Sequence, residues 1–180
     1  GCNPRIASER LDSGENRIDK ICELICSSRF GIHDLSRCKA DRAEEFYRLN
    51  MPLELGIDYG ARRYGQAPLD RKLCLILTSD PYDYKKAMSD ISGVDVKHHG
   101  DEPDEVVRAV RDWFYETAGM RNPEYPSVIW NRFNDFTSDL FESRLASGIS
   151  QDDVREDINR MSVSEYLDSA KNWVDENRDS

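Results

Sequence analysis

The chain has 180 residues, enough for one folded domain with an appendage and too few for a second catalytic domain. Hydrophobic residues make up 38% and charged residues 33%, with three tryptophans among them, a balance that excludes a disordered polymer. The 35 acidic and 25 basic side chains leave a net charge of -10, which opposes binding to a nucleic-acid polymer or an anionic membrane surface, since both need clustered Lys and Arg.

In chain order, Gly1-Cys2-Asn3-Pro4-Arg5-Ile6-Ala7 offers little strand signal, although a parallel α/β domain usually opens on a buried apolar strand. Either that first strand is missing from this chain or the sheet is built without it. Ile18, Ile21, Cys22, Leu24 and Ile25 recur at helical spacing and predict a helix over roughly 15–28, capped by Asp12 or Ser13. Phe30 to Leu35 reads as a short buried strand with Asp34 at its end. Pro52 to about Tyr64 reads as a helix with Pro52 at its first position, Glu54 in its first turn, and Gly56 and Gly60 one turn apart to let its backbone approach the sheet.

Leu73-Cys74-Leu75-Ile76-Leu77-Thr78 is an unbroken apolar run that suits the centre of a parallel sheet covered on both faces. Tyr82 to Ile91 predicts a short helix and Val94 to Lys97 a short strand. Asp104 to about Ala118 predicts an amphipathic helix carrying Val106, Val107, Val110, Trp113 and Phe114, stopped by Gly119. This alternation predicts, for residues 1–119, an α/β domain with a mainly parallel, three-layer sheet of the Rossmann-like or flavodoxin-like kind.

Residues 120–180 read as a helical extension. Ile129, Phe133, Phe136, Leu140 and Leu145 keep helical spacing as far as Gly148, Ser150 with Asp153 starts a second helix, and Ser164 precedes a last one bearing Leu167, Ala170, Trp173 and Val174. Residues 149–180 carry nine acidic and four basic side chains, so this tail holds half of the net charge. Packing or homo-oligomerisation is its simplest use, with a partner-binding or lid role as the alternative.

Five cysteines without paired spacing, and no basic-plus-apolar leader or long apolar stretch, predict a reducing, cytoplasmic setting and no membrane association. Cys22 and Cys26 share one helix face and read as buried thiols, with a redox or metal role as the alternative. His33 falls on the opposite side of its strand from Asp34 and reads as a structural histidine. His98 and His99 read as a solvated loop pair, and Arg62 with Arg63 as a solvated face, a phosphate clamp being the alternative.

His33-Asp34-Leu35-Ser36, then Asn50-Met51-Pro52-Leu53-Glu54-Leu55-Gly56, then the apolar Leu73 run, in that order, resemble the nucleoside 2-deoxyribosyltransferase-like superfamily. That superfamily is related to Toll/interleukin-receptor-like folds, many of which cleave NAD. The flanking stretches Asp12 to Ile21 and Ser28 to Arg37 are similar to a group of bacterial proteins within it, and the likeness runs from residue 4 to about 115. It implies a small-molecule nucleoside, nucleotide or NAD-like ligand, with no cofactor and no metal. It also implies that Glu54 attacks the anomeric carbon while Asp34 protonates the leaving base or orients the sugar hydroxyls. Asn50 would hold the sugar or the loop, and Ser36 with Asp12-Ser13-Gly14 would meet hydroxyl or phosphate groups.

The chemistry is consistent with that assignment. A glutamate in the first helical turn is kept ionised by the helix dipole, as a carboxylate nucleophile must be, and retaining glycosyl transfer uses one nucleophile and one acid/base. Each residue also has a structural reading: Glu54 can satisfy its own helix start, and Asp34 can cap a loop. The non-enzymatic alternative is a nucleotide sensor that binds in the same crevice while the acidic tail meets a partner.

Overall fold

The computed structural model describes residues 2–10, 12–37 and 49–178. Its chain divides into two units, one of Gly1–Ala7 with Ser13–Pro126 and one of Ser8–Asp12 with Ser127–Ser180. The described residues hold three strands and seven α-helices. Cys38 lies outside the described residues.

In the first unit, α1 (Arg17–Ser27) is capped by Asn16, whose Oδ1 accepts the Ile18 N–H at 3.1 Å. Asp12 and Ser13, the expected caps, stand too far upstream to reach those amides, and Asn16 is in the extended conformation a cap requires. Ile21 and Leu24 are buried, but Cys26 is exposed and Cys22 half-buried, so the pair are not core thiols.

Three strands follow, β1 (Phe30–Asp34), β2 (Leu73–Thr78) and β3 (Val96–His98), all parallel and ordered β1-β2-β3. Phe30 pairs with Leu73 and Asp34 with Leu77, while Ile76 pairs with Val96 and Thr78 with His98. The apolar run Leu73–Thr78 is the middle strand because its side chains meet apolar partners on both faces. Leu75 and Leu77 pack with Trp113, Phe30 and Phe114, and Ile76 packs with Leu35, Leu55 and Tyr84. Phe30, Trp113 and Phe114 meet edge to face with ring centroids 5.1–5.7 Å apart.

The helix α2 (Asn50–Tyr64) starts two residues before Pro52, with Leu49 as a cap that supplies no side-chain bond. Glu54 therefore stands in its second turn, beyond the reach of the dipole effect that concentrates in the first. Gly56 and Gly60 are not the close-approach glycines: a Cβ at either would meet nothing within 4 Å. Gly31 of β1 fills that role, since a Cβ there would overlap the Asp58 carboxylate of α2.

After β2, the expected helix over 82–91 is broken in two. α3 (Asp83–Ala87) ends at Met88, whose φ of -135 and ψ of 64 leave the helical region before a single 3₁₀ turn at Ser89–Ile91. β3 begins at Val96 instead of Val94, because the Val94 N–H is turned back onto the Ile91 carbonyl at 3.1 Å. α4 (Pro103–Glu116) has Pro103 in its first turn, and Gly119 follows at φ 76.

The second unit contains α5 (Pro126–Leu145) from its second residue on, α6 (Gln151–Arg160) and α7 (Val163–Glu176). Ser150 caps α6 as expected, accepting from the Asp153 N–H. Ser162, not Ser164, caps α7, and Ser164 Oγ instead donates to the Glu9 carbonyl at 3.1 Å. Phe136 and Val154 are buried, Phe136 meets Tyr166 and Trp173 at centroid distances of 5.4 and 6.0 Å, and Trp173 donates to Asp139 at 2.7 Å. Among the described residues, no helix is long and apolar enough to cross a membrane.

Candidate functional site

Parallel strands deliver their carboxyl ends to one edge of the sheet, where loops gather side chains from strands distant in sequence. There β1 brings Asp34 and Ser36, and β3 brings His99. The Leu35 N–H extends the sheet pairing to the Leu77 carbonyl at 2.8 Å and buries its side chain, which fixes the turn that follows. In that turn Asp34 Oδ1 accepts the Ser36 N–H at 2.9 Å and the Ser36 hydroxyl at 2.5 Å. The His99 N–H extends the pairing of β3 to the Thr78 carbonyl at 3.0 Å.

The state of the His99 ring follows from its partners. Nδ1 accepts the Asp101 N–H at 3.2 Å, so the proton of the neutral ring sits on Nε2. Nε2 lies 3.0 Å from Ser36 Oγ and 3.6 Å from Asp34 Oδ2. The hydrogen bonds thus run from His99 to Ser36 to Asp34, and His99 has no free lone pair with which to take the serine proton. This polarity is the reverse of a serine nucleophile activated by histidine. What the chain of bonds does is orient the Asp34 carboxylate, whose side chain is 47% exposed while the His99 side chain is only 6% exposed.

Beside the cluster opens a crevice of about 400 Å³, lined by Ser36, Arg37, Thr78, Asp80, Asp83 and Asp101 among others. Asp80 is committed locally, its Oδ1 accepting the Tyr82 and Asp83 N–H groups at 2.8 and 3.0 Å. The crevice is rich in carboxylates, with Arg37 the one Lys or Arg among its described lining residues.

Of the residues expected from sequence, Asp34 and Ser36 come together here, Ser36 among the described residues lining the crevice and Asp34 behind it through their hydrogen bond. Glu54 is half-buried in the second turn of α2 and Asn50 is exposed at its start, and neither is among the described residues lining the crevice. Ser13 and Gly14 form a turn ahead of α1 that also does not line it, and Asp12 belongs to the second unit. His99 is not the solvated residue its sequence position suggested: it is buried and bonded, while His98 is exposed. A His-His-Gly run closing a strand was the available signal, but its partner lies 63 residues away.

A second polar cluster lies across the sheet from Asp34. His33 is buried, as a structural histidine should be, and its Nε2 lies 2.9 Å from Asp58 Oδ2. Lys72 Nζ lies 3.3 Å from Asp58 Oδ1 and donates to the Ile25 and Ser28 carbonyls at 2.7 and 2.5 Å. Burial pushes the Asp58 carboxyl up, but the hydrogen bond from His33 and the charge of Lys72 outweigh it and hold the group below its ordinary value. Cys74 stands beside them, its thiol pushed up to about 11 by burial and by the Asp58 charge. Asp58 and Lys72 carry no motif and become visible only once α2 is laid on β1.

The chain matches no protein-family model, no curated protein and no solved structure.

Proposed function

We propose that this protein acts on the N-glycosidic bond of a nucleoside, nucleotide or NAD-like ligand bound in the crevice at the carboxyl ends of β1 and β3. The observation that carries the reading is the Asp34 carboxylate, oriented by Ser36 and His99 yet half exposed beside a crevice of about 400 Å³. Ligands of open α/β sheets bind at this edge, and an oriented carboxylate is suited to hydrogen-bond sugar hydroxyls or to protonate a departing base. In this reading Glu54 is the nucleophile, Asn50 and Ser36 meet the sugar, and Arg37 meets a phosphate where the ligand has one. The apolar clusters on the two faces of β2 support a small three-layer sheet of the Rossmann-like or flavodoxin-like kind, with the helices after residue 126 as its extension. The free thiols of Cys2, Cys22, Cys26 and Cys74 support a reducing compartment such as the cytoplasm.

One observation favours a second reading, binding without bond cleavage. Glu54 is not among the described residues lining the crevice and has no hydrogen bond to one that does, as Asp34 has to Ser36, and a nucleotide sensor has no need of it. Incubating the protein with a panel of nucleosides, nucleotides and NAD, and following free base by chromatography, separates the two. The enzymatic reading expects base release that falls at least about a hundredfold in both Glu54→Gln and Asp34→Asn. Base release that survives Glu54→Gln removes the nucleophile assigned here. Ligand binding without release, weakened by Asp34→Asn alone, favours the sensor.

A further inference from the structure

His33 of β1, Asp58 of α2 and Cys74 of β2 bring a nitrogen, an oxygen and a sulfur donor within 4.8 Å of one another, the group of metal-ligand type among the described residues. Three different elements supply them, so the grouping is a product of the fold and not of a local turn. We propose that these three side chains bind a zinc-class divalent cation, through His33 Nε2, Asp58 Oδ2 and Cys74 Sγ, with the fourth position left to water. The mixed donor set selects the ion: a thiolate and an imidazole suit zinc and its neighbours, whereas magnesium and calcium take oxygen ligands.

Several independent features fit this use. Tetrahedral zinc with these donors needs them on the order of 3.5 Å apart, so the His33–Asp58 pair, now at 2.9 Å, opens slightly while Cys74 Sγ, within 4.8 Å of both, closes in. Gly31 leaves the space into which the Asp58 carboxylate projects, since a Cβ there would overlap Oδ2. Asp58 and Cys74 line a cavity of about 610 Å³, which gives the ion a way in and the water ligand a place to sit. Lys72 holds Asp58 Oδ1 and is itself tied to the Ile25 and Ser28 carbonyls, so it steadies the ligand from behind and leaves Oδ2 for the metal.

The protons balance. Without metal, His33 Nε2–H donates to Asp58 and the buried Nδ1 has no hydrogen-bond partner among the described residues. On binding, the proton moves from Nε2 to Nδ1, the Cys74 thiol gives its proton to water, and the ion's two charges are met by the thiolate and the carboxylate. Lys72 then remains as a single buried cation beside a neutral centre.

The test uses the whole chain, stripped with a chelator and titrated with Co²⁺ alone, followed by Zn²⁺ displacement and metal analysis. The expected result is one ion per chain, a thiolate-to-cobalt charge-transfer band, and at least about a tenfold loss of affinity in His33→Gln. A variant with Cys2, Cys22, Cys26 and Cys38 all changed to Ser isolates Cys74 as the sole thiol and keeps the band. Absence of the band in that folded variant overturns the proposal, as does a band that persists in Cys74→Ser.

Discussion

His99 donates from Nε2 to the hydroxyl of Ser36 across 3.0 Å, and Ser36 passes the interaction on to Asp34. Removing the middle member leaves a buried ring N–H with only the more distant Asp34 carboxylate to answer it. Ser36→Ala should therefore cost about 1–2 kcal/mol of stability, read as a lower urea midpoint with an unchanged slope. Ser36→Thr, which keeps the hydroxyl, should lose less.

The pairing of Asp58 with Lys72 and His33 predicts a larger effect. Asp58→Ala leaves the Lys72 ammonium, 3% exposed, without its counter-charge, and should cost about 3–5 kcal/mol. Chemical denaturation at neutral pH measures it, and a loss below about 1 kcal/mol would show that the backbone carbonyls alone satisfy Lys72.

The same carboxyl predicts a pH dependence whose sign is fixed. Its folded value lies below its ordinary one, so the unfolded chain takes up the proton first. Its contribution is complete above about pH 4–5 and is lost as the pH falls through the folded value. Comparing the stability of the natural chain with that of Asp58→Asn from pH 7 downward should show a gap that narrows on acidification. A gap that widens would contradict the direction of the shift.

Two glycine substitutions should act with opposite sign. Gly31→Ala forces a methyl against the Asp58 carboxylate and should destabilise by about 1–3 kcal/mol. Gly56→Ala, in the middle of α2 with nothing near its added Cβ, should stabilise by up to about 1 kcal/mol through helix propensity. Paired melting curves decide both at once.

These contrasts show what the sequence made legible and why. The Leu73–Thr78 run declares a central strand because six residues without a charged side chain can be buried only on two faces at once. The amphipathic stripe of α4, with Trp113 facing the sheet, is equally local information. His99 and Asp58 were not legible, since each is defined by a partner on another element: Ser36 lies 63 residues from His99, and His33 lies 25 from Asp58. Glycines misled for a related reason. Spacing within α2 made Gly56 and Gly60 look like contact points, but contact depends on which residue the neighbouring strand presents, and β1 presents Gly31. The caps of α1 and α7 stand a few residues from where the sequence suggests, because several polar residues precede each helix and only the backbone decides which one turns outward.

The sheet order carries one more consequence. Neither β1 nor β3 pairs with the other, so each is in place only when β2 is already between them. The Ser36–His99 bond spans the outer two strands and therefore needs both pairings in place. The ring signals of His99 are accordingly a built-in reporter of complete assembly: in a folding experiment they should reach their native positions no earlier than the amides of β2 become protected from exchange, and a partly formed sheet should leave them at their unfolded positions.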